Sequence, residues 1–315
     1  MSLTLDDIRT AAQRIKPYIH RTPVLTNESL NRRAEAQVYL KCENLQKVGA
    51  FKFRGACNAV FSLRDEESAH GVSTHSSGNH AQALALAARL RGIPAYIVMP
   101  RNAPTVKKEA VAGYGGQITF CEPTLEARES TLAKIAEETG STVVHPDDNQ
   151  HVIAGQGTAA LELLEESPEL DVIIAPVGGG GLISGTAIAA TGIRNGIRVI
   201  AAEPEMADDA YRSMQMGEIV PSTNPKTIAD GLLTSLGKIT FPIIQGCVEQ
   251  VITVSEPAII GSMKFIWERA KIIIEPSAAV AVAVLWEGKI DLSGLKVGVI
   301  LSGGNVDLEK LPWQI

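Results

Sequence analysis

Four short stretches hold residues whose types and spacing could do chemistry. In Gly49-Ala50-Phe51-Lys52-Phe53-Arg54-Gly55, one lysine stands between two of only six phenylalanines in the chain. Val38 to Cys42 reads as a strand before it and Ala56 to Leu63 as a helix after it, so Lys52 falls at a strand-to-helix junction. Free backbone N–H groups and the positive end of the helix dipole are expected there. Apolar walls and that dipole both disfavour the ammonium form, leaving an amine able to condense with a carbonyl as a Schiff base. Taken alone, Phe-Lys-Phe equally describes a surface lysine whose stem covers apolar neighbours. The second stretch, Val177-Gly178-Gly179-Gly180-Gly181-Leu182, follows a β-branched strand and opens a helix. Successive glycines let backbone N–H groups converge, which makes a phosphate cradle. It has neither a Walker lysine nor GxGxxG spacing, which argues against nucleoside triphosphates and dinucleotides. In the third, Ser76-Ser77-Gly78-Asn79-His80, small polar residues enter a helix and could hold a carboxylate or simply cap it. The fourth, Glu203-Pro-Glu-Met-Ala207-Asp208-Asp209, offers oxygen ligands for a hard cation, or an acidic helix start.

The elements that must position these residues alternate. Thr4 with Asp6 and Asp7 starts a helix whose apolar face is Ile8, Ala11, Ala12 and Ile15. Strands are expected at Val72–Thr74, Ala95–Met99, Ile118–Phe120, Val143–Val144, Val172–Ala175 and Val199–Ala202. Helices are expected at Ala81–Leu90, Val106–Ala112, Leu125–Glu138, Ala159–Glu165 and Leu182–Ala190. Val297 to Leu301 is a last buried strand, running into the turn Ser302-Gly-Gly-Asn305. This alternation means α/β architecture with mostly parallel sheets. The 315 residues, 45% apolar, suffice for one large or two modest domains. A net charge of −6, a pI of about 5.6 and no basic run argue against nucleic acid and anionic membranes as partners. No apolar segment is long enough to span a bilayer, and Met1 to Asp7 lacks the order of a signal peptide. Cys42, Cys57, Cys121 and Cys247 show no CxxC spacing and read as buried thiols in a reducing, cytoplasmic setting.

The lysine, the glycine loop and Ser-Ser-Gly-Asn-His together resemble the pyridoxal-phosphate enzymes of fold type II, and within them the serine racemase and serine/threonine dehydratase family. The resemblance continues in order through Arg21-Thr22-Pro23, Lys41-Cys-Glu-Asn-Leu-Gln46, Ile153-Ala-Gly-Gln-Gly157, Ala229-Asp-Gly231 and Ser302-Gly-Gly-Asn305. It implies a two-domain, tryptophan synthase β-like α/β fold, each domain a mostly parallel sheet flanked by helices. Residues 1–70 and 148–315 would form the large cofactor domain, and 71–147 a small mobile domain closing over substrate.

By the same resemblance, Lys52 holds the cofactor and is the catalytic base, with Phe51 beside it. Gly178, Gly179, Gly180, Gly181 and Leu182 match the phosphate loop, Asn79 meets the ring hydroxyl, and Ser302 stands at the pyridine nitrogen. A neutral serine there weakens the electron sink and favours loss of a β-substituent. Ser76, Ser77, Gly78, Asn79 and His80 would meet the substrate, and Ser77 would face Lys52 as the second base of a racemase. His80 and Arg128 match positions near the far end of the substrate, where a cation favours a dicarboxylate. Arg128 reads equally as the exposed face of a helix. Ala81 stands where racemases commonly have glycine and dehydratases often have alanine. Glu203, the Ala207 carbonyl and Asp209 would bind a divalent cation (Mg, Mn or Ca) in a structural or activating role.

The expected activity is dehydration or racemisation of serine or threonine, giving a 2-oxo acid plus ammonia and the inverted amino acid. The alternative substrate is 3-hydroxyaspartate. A cysteine synthase would need a sulfur-donor site and substrate loop not seen here, and a nucleotide-binding regulatory protein would use the glycine loop alone. A homodimer is expected, with room for a nucleotide effector. The chain ends soon after Asn305, so no isoleucine-sensing regulatory domain is expected.

Overall fold

The computed structural model describes residues 3–76, 78–103 and 105–314. In chain order its strands are β1 (Val24–Thr26), β2 (Gln37–Cys42), β3 (Val72–His75), β4 (Ala95–Pro100), β5 (Gln117–Cys121), β6 (Thr142–Val143), β7 (Val172–Pro176), β8 (Arg198–Pro204), β9 (Gln250–Val254) and β10 (Lys296–Leu301). They form a six-stranded sheet in the order β1-β2-β10-β7-β8-β9 and a four-stranded sheet in the order β5-β4-β3-β6. Every pairing is parallel except β1 with β2.

The central strands of the larger sheet, β7, β8 and β10, are buried on both faces, as helices on both sides of a parallel sheet require. Val172 and Ile174 of β7 lie in one apolar cluster, and Ile173 and Ala175 in another; the two-residue pleat sends alternate side chains to opposite faces. The first cluster is covered by the helix Pro276–Glu287, buried all round over Ser277–Leu285. The second is covered by the helices Gln150–Glu166 and Gly181–Ile193. A third cluster joins the smaller sheet to Phe53, Ala56 and Val60 of the helix Lys52–Ser62.

The helix expected at Ala159–Glu165 in fact begins at Gln150. Gly155 and Gly157 lower its intrinsic propensity, but both are demanded by packing. A Cβ on Gly155 would sit 2.6 Å from the Gly55 Cα, and one on Gly157 would sit 2.8 Å from the Gly185 carbonyl oxygen. The Gln150–Glu166 helix is thus crossed at backbone contact by the Lys52 helix and by the helix after the glycine loop. Among the described residues no helix is long and apolar enough to cross a membrane. All four cysteines are free thiols, but Cys247, at the end of the helix Thr240–Cys247, is only partly buried. Substituting Gly155→Val is expected to cost about 3 kcal/mol, because the obstructing atoms are backbone and cannot yield; the midpoint of denaturant unfolding measures it.

Candidate active site

The functional side chains gather where parallel strands end, the usual ligand side of an open α/β sheet. β2 leads to Lys52, β7 to the glycine loop, β10 to Ser302 and β3 to the Ser76–His80 turn.

Lys52 is the first residue of its helix, which begins earlier than expected. Its turn is stitched to the one after β10: the Phe51 N–H donates to the Ser302 carbonyl (2.9 Å), the Gly304 N–H donates to the Gly49 carbonyl (2.9 Å), and Ala50 bridges to Gly303. Ser302 is buried beside Phe51, whose ring centroid lies 5.2 Å from the Lys52 Nζ. The sequence suggested apolar walls and a helix dipole around the amine. The structure adds a carboxylate: Nζ donates to Asp147 Oδ1 at 2.6 Å and to the Pro146 carbonyl at 3.0 Å. Burial pushes the Asp147 carboxyl up, but the charge and hydrogen bond of Lys52 outweigh it and hold the group below the usual carboxylate range.

The glycine loop is walled in. A Cβ on Gly178 would meet the Leu232 Cα at 3.1 Å, one on Gly179 would meet Asp147 Oδ2 at 2.6 Å, and one on Gly180 (φ +90°) would meet Thr240 at 2.8 Å. Thr240 Oγ1 donates to the Gly179 carbonyl at 2.8 Å, while the N–H groups of Gly178–Gly181 donate to no partner among the described residues. Convergent unpaired N–H groups at a helix start suit a phosphate. Leu182 is buried in the core, so only its backbone faces this loop.

The sequence profile described as "Pyridoxal-phosphate dependent enzyme" matches residues 15–303. The chain belongs to this family. It is 54% identical to a serine racemase of Dictyostelium discoideum, over 98% of this chain and 97% of that protein. It is 52% identical to a beta-hydroxyaspartate dehydratase of Paracoccus denitrificans, over 99% of both. The solved structure of maize serine racemase superposes with a TM-score of 0.96 at 48% identity, over 100% of this chain and 97% of that one. A solved threonine deaminase superposes at 0.92 and 40%, over 97% and 99%. The protein is a fold type II pyridoxal-phosphate enzyme of the racemase and dehydratase group.

In this pyridoxal-phosphate enzyme Asn79 begins the helix Asn79–Arg91 and links the two sheets. Its Nδ2 donates to Glu275 Oε1 (2.9 Å), and its Oδ1 accepts from Asn305 Nδ2 (2.9 Å), which also reaches the Val48 carbonyl (2.7 Å). Ser76 Oγ accepts from the Gly78 N–H (3.3 Å), and a Cβ on Gly78 would meet nothing within 4 Å, so the turn faces open space. Ser77 lies outside the described residues. His80 is buried, with Nε2 3.3 Å from the Val144 carbonyl and Nδ1 without a partner among the described residues. Burial, then the charge of Lys52, pushes it down to about 3, so it is neutral and any cationic role falls to Arg128. Arg128 is half-buried on the helix Leu125–Thr139; its Nε donates to the Thr124 carbonyl, and its charge adds to burial and His145 in pushing down His75 at the end of β3.

Behind Lys52 lies a buried ionic network that sequence reasoning missed. Arg54 donates through Nε and Nη2 to both Glu43 oxygens (2.7 and 2.8 Å), and through Nη1 and Nη2 to both Glu162 oxygens (2.8 and 2.7 Å). Lys41 Nζ completes it on Glu162 Oε2 (2.7 Å). At the end of β8, Glu203 accepts from the Ala210 and Tyr211 N–H groups (2.8 and 2.9 Å), and Asp209 Oδ2 is buried without a partner among the described residues. Burial pushes Glu203 up to about 8 and Asp209 up to about 6. No group of three or more His, Cys, Asp or Glu side chains converges among the described residues, so a cation here would need backbone oxygen or water beside these two.

Glu275, also missed, is raised from 4.5 to about 8 by burial and by Asp230, with Lys107 and its hydrogen bonds opposing. Its contribution to stability is therefore complete below about pH 4.5 and lost as pH rises through about 8. Glu275→Gln, which copies the neutral acid, is expected to flatten the stability profile across that window, as read from denaturant midpoints at several pH values.

Proposed function

We propose that this enzyme converts β-hydroxy amino acids, serine and threonine first, to the 2-oxo acid and ammonia, and inverts the same amino acids at the same site. The observation that carries the reading is the meeting of Lys52, the unpaired glycine-loop N–H groups, Ser302 and the Asn79 turn at the strand ends. Bound pyridoxal phosphate supplies the electron sink that makes the amino acid's α-proton removable. The glycine loop and its helix dipole hold the phosphate. Asn79 meets the ring hydroxyl, and Ser302 offers the ring nitrogen a neutral hydroxyl. The Ser76–Asn79 turn holds the substrate carboxylate at a helix start. Lys52 takes the α-proton at Nζ, and Ser77, by its place in the sequence, returns a proton from the opposite side.

Residues 71–147 act as a small domain that closes over the amino acid and excludes water. The Lys107–Asp230 ion pair supports this, since it joins the helix Thr105–Gly113 beside the smaller sheet to the Asp230–Leu232 turn beside the larger one. A second reading, 3-hydroxyaspartate as substrate, is favoured by the Arg128 charge beside β3, which would pair with a second carboxylate. Leu45 and Ile273 are exposed large apolar side chains, and Asn44, next to Leu45, donates through Nδ2 to the Ile273 carbonyl (2.9 Å); these exposed residues support a homodimer.

Incubation of the cofactor-loaded protein with L-serine, D-serine, L-threonine and 3-hydroxyaspartate, assaying 2-oxo acid and chiral amino acid together, tests the reading. Turnover of none of them would overturn it. Lys52→Ala is expected to lose at least about a thousandfold in both products, and Ser77→Ala to lose about a hundredfold in inversion with far less effect on elimination from the L-substrate. We also assign Glu203, Asp209 and the Ala207 carbonyl to a divalent cation, on the unpartnered Asp209 oxygen. Saturating Mg²⁺ is then expected to raise the melting temperature by about 5 °C in the parent and not in Glu203→Gln.

A further inference from the structure

A carboxylate of the chain's own lies against the glycine loop. A Cβ on Gly179 would lie 2.6 Å from Asp147 Oδ2, and one on Gly181 would lie 3.1 Å from Oδ1, so the carboxylate packs against the loop without accepting from its N–H groups. Its partner is Lys52, the amine expected to engage the cofactor aldehyde, at 2.6 Å. Asp147 is also held in place by its neighbours. The Asp148 carboxylate accepts from the Lys238, Ile239 and Thr240 N–H groups at 3.1, 2.7 and 3.3 Å. His145 Nδ1 accepts from the Asp147 and Asp148 N–H groups at 3.2 and 2.8 Å. These bonds fix the backbone that carries Asp147, and Lys52 Nζ holds its carboxylate.

We propose that Asp147 is a built-in counter-ligand to the cofactor. In the cofactor-free protein it holds Lys52 at the loop; when a phosphate dianion enters, it stands beside that dianion as a like charge. It therefore weakens cofactor binding and keeps the cofactor exchangeable. The inference rests on the reading of Gly178–Gly181 as the phosphate site. Like charges about 5 Å apart in a partly buried site repel strongly enough to change affinity by at least about tenfold.

The test is equilibrium binding to cofactor-free protein of pyridoxal phosphate, followed by visible absorbance, and of inorganic phosphate, followed by its competition with the cofactor. Asp147→Asn and Asp147→Ser are both expected to bind both probes at least about tenfold more tightly than the parent. Unchanged or weaker binding in both variants, with normal binding by the parent, would overturn this inference and leave the site assignment standing. Tightening in Asp147→Asn alone would assign the gain to a new amide hydrogen bond, overturning the charge argument. Failure of the parent to bind either probe would overturn the site assignment and this inference with it.

Discussion

The arrangement depends first on one buried guanidinium. Arg54 stands two residues after Lys52 and is fully buried, which is tolerable only because two carboxylates meet it in fork geometry and Lys41 balances the second of them. The network is neutral as a set: two cations, two carboxylates. Burial pushes the Glu162 carboxyl up, yet Arg54 and Lys41 hold it below the ordinary range. Its members come from β2, from the turn after β2, from the Lys52 helix and from the Gln150–Glu166 helix. It therefore fixes where Lys52 starts relative to the segment that carries Asp147. An apolar core could fill the same volume, but it would not specify this one orientation of three elements through directional bonds.

A second constraint joins the two sheets. Asn79 belongs to the smaller one by its helix, Glu275 and Asn305 to the larger, and the three meet in a hydrogen-bonded cluster. Glu275 enters this cluster with its carboxyl pushed up to about 8, because burial disfavours its charge. Both of its oxygens are committed, one to the Asn79 amide and one to the Asn305 N–H. Relative motion of the two sheets at this point has to rearrange a partly buried cluster, whereas further out it meets the Lys107–Asp230 ion pair.

Much of this was legible in the sequence. Val172–Ala175 and Val199–Ala202 announced buried parallel strands by β-branched and small residues, and the order of motifs gave the family. Lys52, the glycine loop and the Asn79 turn could be named because glycine runs and helix starts have local physical causes. Asp147 could not, since its role comes from a contact with Lys52 across 95 residues. Arg54 and Glu43 sat inside recognised motifs, yet nothing in a helical pattern distinguishes a buried charge from an exposed one. The helix over Gln150–Glu166 was read only from Ala159, because Gly155 and Gly157 carry no apolar side chains to mark its face, and helix crossing explains both. Likewise Ala-Val-Ala-Val-Ala-Val in Pro276–Glu287 has the two-residue alternation of a strand, but it forms a helix because it is buried all round and has no polar face to reveal its period.

The place of β10 has a consequence for the birth of the protein. This strand lies between β2 and β7, pairing with both, although it follows every other strand in the chain. Before it is synthesised, the start of the larger sheet and its later strands have open edges where the central partner belongs. The turn that clasps Phe51, with Ser302 in it, arrives with the same segment. Folding of the smaller sheet is local and can proceed on the ribosome, while the larger sheet must wait for its last strand and close over a long sequence separation. Until then its unpaired edges are the part of the nascent chain most in need of protection from aggregation.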